Sequence, residues 1–115
     1  MGACYYTKMK ILYRRDETHV IFKLNEYINE KKLNFGDTDG DRNNLSDLIK
    51  FFVGDYYVND YNEYESEFNA SYSWEIVLNE MFEAMATELK DGSYLEIYPD
   101  TGHYKLKAKD GKVRR

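Results

Sequence analysis

At 115 residues, the chain is long enough for one two-layer core and too short for two, so residues 1–115 are read as a single domain. One proline and seven glycines argue against a low-complexity linker, and apolar runs of only a few residues exclude a membrane-spanning helix. The net charge of −5 conceals a segregation: residues 1–15 hold four bases and no acid, residues 103–115 six bases against one acid, and residues 16–102 twenty acids against six bases.

Residues 4–14 alternate cleanly. Tyr5, Thr7, Met9, Ile11 and Tyr13 take one face of a strand, and Tyr6, Lys8, Lys10 and Arg14 take a basic solvent face. The opening MGACYYTKMK lacks the apolar stretch of a signal peptide, and a single cysteine suits a reducing cytosol, so a cytoplasmic location is expected. Asp16 is a candidate N-cap, with Glu17 in the first turn, for a helix reaching about Lys32. That helix is expected to bury Val20, Ile21, Leu24 and Ile28.

Residues 34–54 read as an insert, an acidic loop and then a short helix. Asp37, Asp39 and Asp41 have the spacing of the first three ligands of an EF-hand loop. Arg42 and Leu48 stand where such a loop needs Gly and a bidentate Glu, which favours a solvated acidic loop over a calcium site. Asn44 caps the short helix, Leu45, Leu48, Ile49 and Phe52 form its buried stripe, and Gly54 ends it.

Asp55–Val58 is read as a short strand, and Asn59-Asp60 as the turn into the next. The segment YNEYESEFNASYS, residues 61–73, places Tyr64, Phe68, Ala70 and Tyr72 on one face of a strand and Glu63, Glu65 and Glu67 on the other. Ser73 is the expected N-cap of a long helix to Lys90, with Leu78, Met81, Phe82, Met85 and Leu89 as its core stripe. Tyr94–Tyr98 and His103–Lys109 form a hairpin around Pro99–Gly102; Tyr104, Leu106 and Ala108 face inward, and Lys105, Lys107 and Lys109 face water. The basic tail, residues 111–115, is expected to fray.

The order strand, helix, short helix, two strands, helix, hairpin predicts an α+β fold. It is a ferredoxin-like β-α-(α)-β-β-α-β-β two-layer sandwich, its antiparallel sheet carrying helices on one face. The first strand should lie centrally, between the strand leading into the second helix and the last one. The segments MGACYYTKMKI, FNASYSWEI and DGKV resemble a ferredoxin-like domain family of small phage- and plasmid-encoded proteins. Tyr72 stands where that family has Trp, Trp74-Glu75 replaces two prolines, and Cys4 sits where another Trp is usual. The resemblance implies a fold and a mobile-element origin and transfers no catalytic residue.

Chemistry-bearing constellations are sparse. Cys4, His19 and His103 lack metal-ligand spacing, and neither GxGxxG nor GxxxxGK[ST] occurs, so no enzyme activity, metal or cofactor is expected. Carboxylates in rows with interleaved tyrosines suit docking on a basic groove: acids steer and aromatics anchor. The expected role is therefore that of a phage or mobile-element inhibitor of a host defence nuclease, of the anti-CRISPR or antirestriction type. It would occupy the basic nucleic-acid-binding groove of a CRISPR effector or restriction enzyme through Asp37, Asp39, Asp41, Tyr61, Glu63, Tyr64, Glu65 and Glu67.

The alternative is a nucleic-acid-binding sheet using Tyr6, Tyr94 and Tyr98 with Lys8, Lys10, Lys105 and Lys107. The acidic middle, with Glu63, Glu65, Glu67 and Glu96 on that same face, opposes it. A third reading needs no partner: Lys8 and Lys10 pair with the Glu ladder across the sheet.

Overall fold

The computed structural model describes residues 3–35, 40–70, 72–99 and 102–115, and for residues 3, 4, 68–70 and 72 the backbone alone. Strand β1 (Ala3–Lys10) is followed by helices α1 (Glu17–Glu30) and α2 (Leu45–Val53), strands β2 (Tyr56–Val58) and β3 (Glu63–Ala70), and helix α3 (Tyr72–Met85). A single 3-10 turn, Ala86–Glu88, leads to β4 (Tyr94–Tyr98), β5 (Tyr104–Lys109) and β6 (Lys112–Arg114). The six strands form one sheet in the order β2-β3-β1-β4-β5-β6, every neighbouring pair antiparallel. The fold is thus α+β, with β1 between β3 and β4; its second neighbour is β4 rather than the last strand, because β5 and β6 add on beyond β4.

The alternation in β1 sets the two layers. Tyr5, Thr7, Met9 and Ile11 are buried, and Tyr5, Met9 and Ile11 meet Leu24 and Ile28 of α1, Leu48, Ile49 and Phe52 of α2, and Leu78, Met81, Phe82 and Met85 of α3 in one apolar cluster. Leu95, Ile97, Leu106 and Ala108 complete its sheet side. Ile21 only packs against the rim of this core, and Tyr27 is the buried aromatic of α1 instead. Phe68 of the expected core lies outside the described side chains, as do Cys4 and Tyr72.

Local chemistry explains where the first two helices begin. The Asp16 carboxylate accepts from the Thr18 N–H at 2.8 Å, and the Asn44 side chain accepts from the Asp47 N–H at 3.1 Å; each satisfies a donor the helix leaves open. Gly54 closes α2 at φ 73°. The third helix departs from expectation at both ends. It starts at Tyr72, so Ser73 lies inside its first turn, and it stops at Met85, five residues before Lys90. Residues 88–90 are drawn instead onto 12–14. Arg14 N–H donates to Glu88 O, Lys90 N–H donates to Leu12 O, and the Arg14 Nε donates to Leu89 O at 2.8 Å. Arg15 grips both Glu88 oxygens, at 2.8 and 3.0 Å. These bonds outcompete one more turn of helix while Leu89 stays buried.

The chain end also differs. Residues 111–115 are not frayed: Lys112–Arg114 pairs with β5 as a sixth strand. Asp110 at φ 54° and Gly111 at φ 76° supply the two positive φ values that a tight hairpin turn demands, and Asp-Gly is well suited to it. Conversely, the first strand ends at Lys10, and Tyr13 makes only an isolated bridge to Leu89.

Candidate partner-binding surface

Among the described residues no helix covers the second face of the sheet, and the strand register lays its side chains in rows. One row runs Tyr57–Glu65–Lys8–Glu96–Lys105 across β2, β3, β1, β4 and β5. The next runs Glu63–Lys10–Tyr94–Lys107–Arg114. A third, Glu67–Tyr6–Tyr98, is aromatic, with the rings of Tyr6 and Tyr98 5.5 Å apart and His103 stacked on Tyr98 at 4.8 Å.

At the β2–β3 edge, residues 55–70 contain five acids and no base. Four of the six large apolar side chains most exposed in the described chain gather around it: Tyr61 (70%), Tyr57 (61%), Val58 (46%) and Tyr6 (37%). The turn that joins the strands spans Asn59–Asn62, two residues longer than the sequence suggests. The Asn59 Oδ1 accepts from the N–H groups of Tyr61 and Glu63, and Asn62 sits at φ 60°, a conformation Asn tolerates. This lifts Tyr61 out of the strand and onto the tip. Behind it lies a hollow of about 330 Å³ lined by Tyr6, Asp55, Tyr56, Tyr57, Glu65, Ser66 and Glu67.

Glu65 is the centre of this edge. Its carboxylate accepts from the Tyr57 and Tyr6 hydroxyls and stands 3.8 Å from Lys8 Nζ. The Tyr57 hydrogen bond is the main cause that holds its carboxyl below the usual glutamate range. The same bond pushes the Tyr57 phenol up, and burial followed by the bond to Glu65 does so for Tyr6. Glu63 accepts from the Asn59 amide at 3.4 Å and from Tyr94, whose phenol is raised first by burial and then by that bond. Of the expected cross-strand pairs, Lys8 with Glu65 is present, whereas Lys10 stands opposite Glu63 with no ion pair among the described residues; the pairing coexists with the exposed aromatics.

The expected site residues do not all converge. Glu63, Glu65 and Glu67 share the open face, and Tyr61 overhangs their end of the sheet. Tyr64 points to the helix side, where it packs on Tyr56 at 5.2 Å and hydrogen bonds to Tyr13; burial raises its phenol. Asp41 belongs to the helix layer. Its carboxylate accepts from the Asn43 N–H at 2.8 Å, while the adjacent Arg42 side chain donates to Asn25 and Asn29 of α1. Asp37 and Asp39 lie outside the described residues. The row of acids read from the sequence is thus divided between two layers. Tyr57 and Val58 were missed as surface aromatic and apolar residues, although alternation around the half-buried Tyr56 marks Tyr57 as outward.

Among the described residues, no group of three His, Cys, Asp or Glu side chains is arranged to hold a metal ion, and no helix is long and apolar enough to cross a membrane. Compared with family models, with curated proteins and with solved structures, the chain shows no match.

Proposed function

We propose that this is a non-enzymatic binding module whose β2–β3 edge docks in the basic, nucleic-acid-binding groove of a partner protein. The observation that carries the reading is the coincidence of exposed Tyr57, Val58 and Tyr61 with an edge of five acids and no base. Aromatic anchors rimmed by charge are what tight docking uses: the anchors slow dissociation and the rim speeds encounter. The partner class we infer is a host defence nuclease, a CRISPR effector or restriction enzyme, with action in the bacterial cytoplasm. That choice rests on the resemblance to small phage- and plasmid-encoded proteins. The ferredoxin-like reading of the fold belongs with it and is supported by the β2-β3-β1-β4 order, with β5 and β6 added beyond β4.

The sheet-platform alternative is less favoured by the same rows. Lys8 stands between Glu65 and Glu96, and Lys10 between Glu63 and Tyr94, so a phosphate chain crossing there meets a carboxylate on both sides of Lys8 and on one side of Lys10.

The test is binding to purified nuclease–guide complexes and restriction enzymes, with labelled oligonucleotide as competitor. Reversal of Glu63 and Glu67 to Lys should slow association and flatten its salt dependence, whereas Tyr57→Ala and Tyr61→Ala should speed dissociation. Tight, salt-sensitive binding of naked single strands, with no effect of these substitutions, would replace this reading by the platform.

A further inference from the structure

The opposite edge of the sheet holds a second concavity, of about 700 Å³, bounded by Tyr94, Lys105, Lys107, Lys109 and Arg114, with Asp91 and Asp110 at one end. Its charge follows from two local facts. Alternation in β5 sends Lys105, Lys107 and Lys109 to the open face, and the Asp110-Gly111 turn lays Lys112 opposite Lys109 and Arg114 opposite Lys107. Like charges directly opposite one another destabilise a sheet, and here the arrangement occurs in two successive outward rows. Among the described residues only Lys109 of this group has a carboxylate partner, Asp91 at 3.5 Å; no acid lies within ion-pair reach of Lys107, Lys112 or Arg114. Lys105 instead sits 4.1 Å from the ring centre of Tyr94.

Basic residues on an edge strand also discourage pairing with another chain. That accounts for charge on β6 but not for a concavity with an aromatic wall on the neighbouring strands. We propose that this groove binds a multiply charged phosphate ester of nucleotide size. Its volume lies within the range of small-ligand sites. Arg114 offers a planar fork for two phosphate oxygens, Lys107 and Lys109 supply point charges beside it, and Tyr94 supplies an apolar wall for a base or sugar. A bound polyanion relieves the repulsion between the paired cations, so the ligand and the fold favour each other. Of the strands only β1 lies between the groove and the acidic β2–β3 edge, and the two meet where the Tyr94 hydroxyl donates to Glu63; the inference does not rest on the docking reading.

Titration of the intact protein with magnesium-free ATP near physiological salt, followed by calorimetry and amide NMR, tests it. Saturable binding is expected, with shifts confined to β4, β5 and β6. The double variant Lys107→Gln/Arg114→Gln should weaken it at least about tenfold, and Arg114→Lys, which keeps the charge and loses the fork, a few-fold. Lys23→Gln/Lys32→Gln removes the same charge from the helix layer and should leave the affinity unchanged. A cooperative melting curve with a midpoint no lower than the parent's shows that each variant is folded. Absence of saturable binding, equal weakening by the Lys23/Lys32 variant, or equally effective displacement by sulfate at matched ionic strength would overturn the proposal.

Discussion

The two edges of the sheet solve the same structural problem with opposite charge. Residues 55–70 carry five acids and no base; residues 104–115 carry six bases and one acid. On the acidic edge Glu63 and Glu65 are held by neutral groups, beside the ion pairs Lys8–Glu65 and Lys50–Asp55. Tyr57 and Tyr6 serve Glu65, and Asn59 and Tyr94 serve Glu63. On the basic edge Lys107, Lys112 and Arg114 have no such partners among the described residues. The inward half of each strand, Ser66 or Leu106, is dictated by the core, whereas the outward half is free to define a surface. A charge that the fold does not require is therefore the better guide to what the protein meets.

The largest way to break the comparison is to remove the core that both edges share. Met85 is fully buried, and Met85→Asp strands a charge there at a cost of several kcal/mol against a stability of about 5–15 kcal/mol. Loss of the cooperative thermal transition is expected, and unchanged melting would refute the assigned face.

A smaller change in the helix layer should lower stability while sparing both edges. The Trp74 Nε1 donates to the Phe52 carbonyl at 2.7 Å, so Trp74→Phe leaves that acceptor unserved. Chemical denaturation should record a loss of about 1–3 kcal/mol, with binding at either edge unaltered in the folded protein.

Thr7 and Ser66 face one another on the core side of β1 and β3, and neither hydroxyl has a partner among the described residues. Thr7→Val keeps the shape and removes an unsatisfied polar group, and should raise stability by up to about 1 kcal/mol. A lower melting temperature would show that the hydroxyl is served after all.

The smallest effect is the most discriminating between the edges. Glu65 and Asp91 both titrate below their ordinary ranges, Glu65 chiefly through the Tyr57 hydroxyl and Asp91 chiefly through the Asp110 N–H, with Lys109 contributing. A lowered folded value means that each contributes stability above its unfolded value and loses it as pH falls through the folded one. Carboxyl NMR titration should show Tyr57→Phe moving Glu65 up and leaving Asp91 in place, and Lys109→Gln doing the reverse. Joint movement would mean that the edges are electrostatically coupled.

Much of the fold was legible because its signals are local. Asp16, Asn44 and Gly54 mark helix ends by their own chemistry, and the alternation of β1 and β5 sorts core from solvent without knowledge of neighbours. The sixth strand was equally readable, since Asp-Gly followed by Lys112-Val113-Arg114 is a hairpin pattern, and expecting a frayed tail undervalued it. The early end of α3 was not readable: no breaker stands near Met85, and the competing partners are Leu12, Arg14 and Arg15, more than seventy residues earlier. The surface behaved likewise. The Glu ladder follows from alternation, but its distance from Asp41 and the opposition of two charged edges depend on strand order, which no local window contains.

The central position of β1 also bears on how the sheet comes together in time. Met9 lies between Tyr64 and Leu95, so the first strand synthesised must wait for partners far along the chain on both sides. The pairs β2–β3 and β5–β6 close over a few residues and carry little loop-closure entropy. Two oppositely charged ribbons are therefore expected to form by the transition state, with β1 inserting between them after it. In stopped-flow refolding, Met9→Ala should leave the folding rate nearly unchanged and speed unfolding, whereas a hairpin change such as Gly111→Ala should slow folding itself.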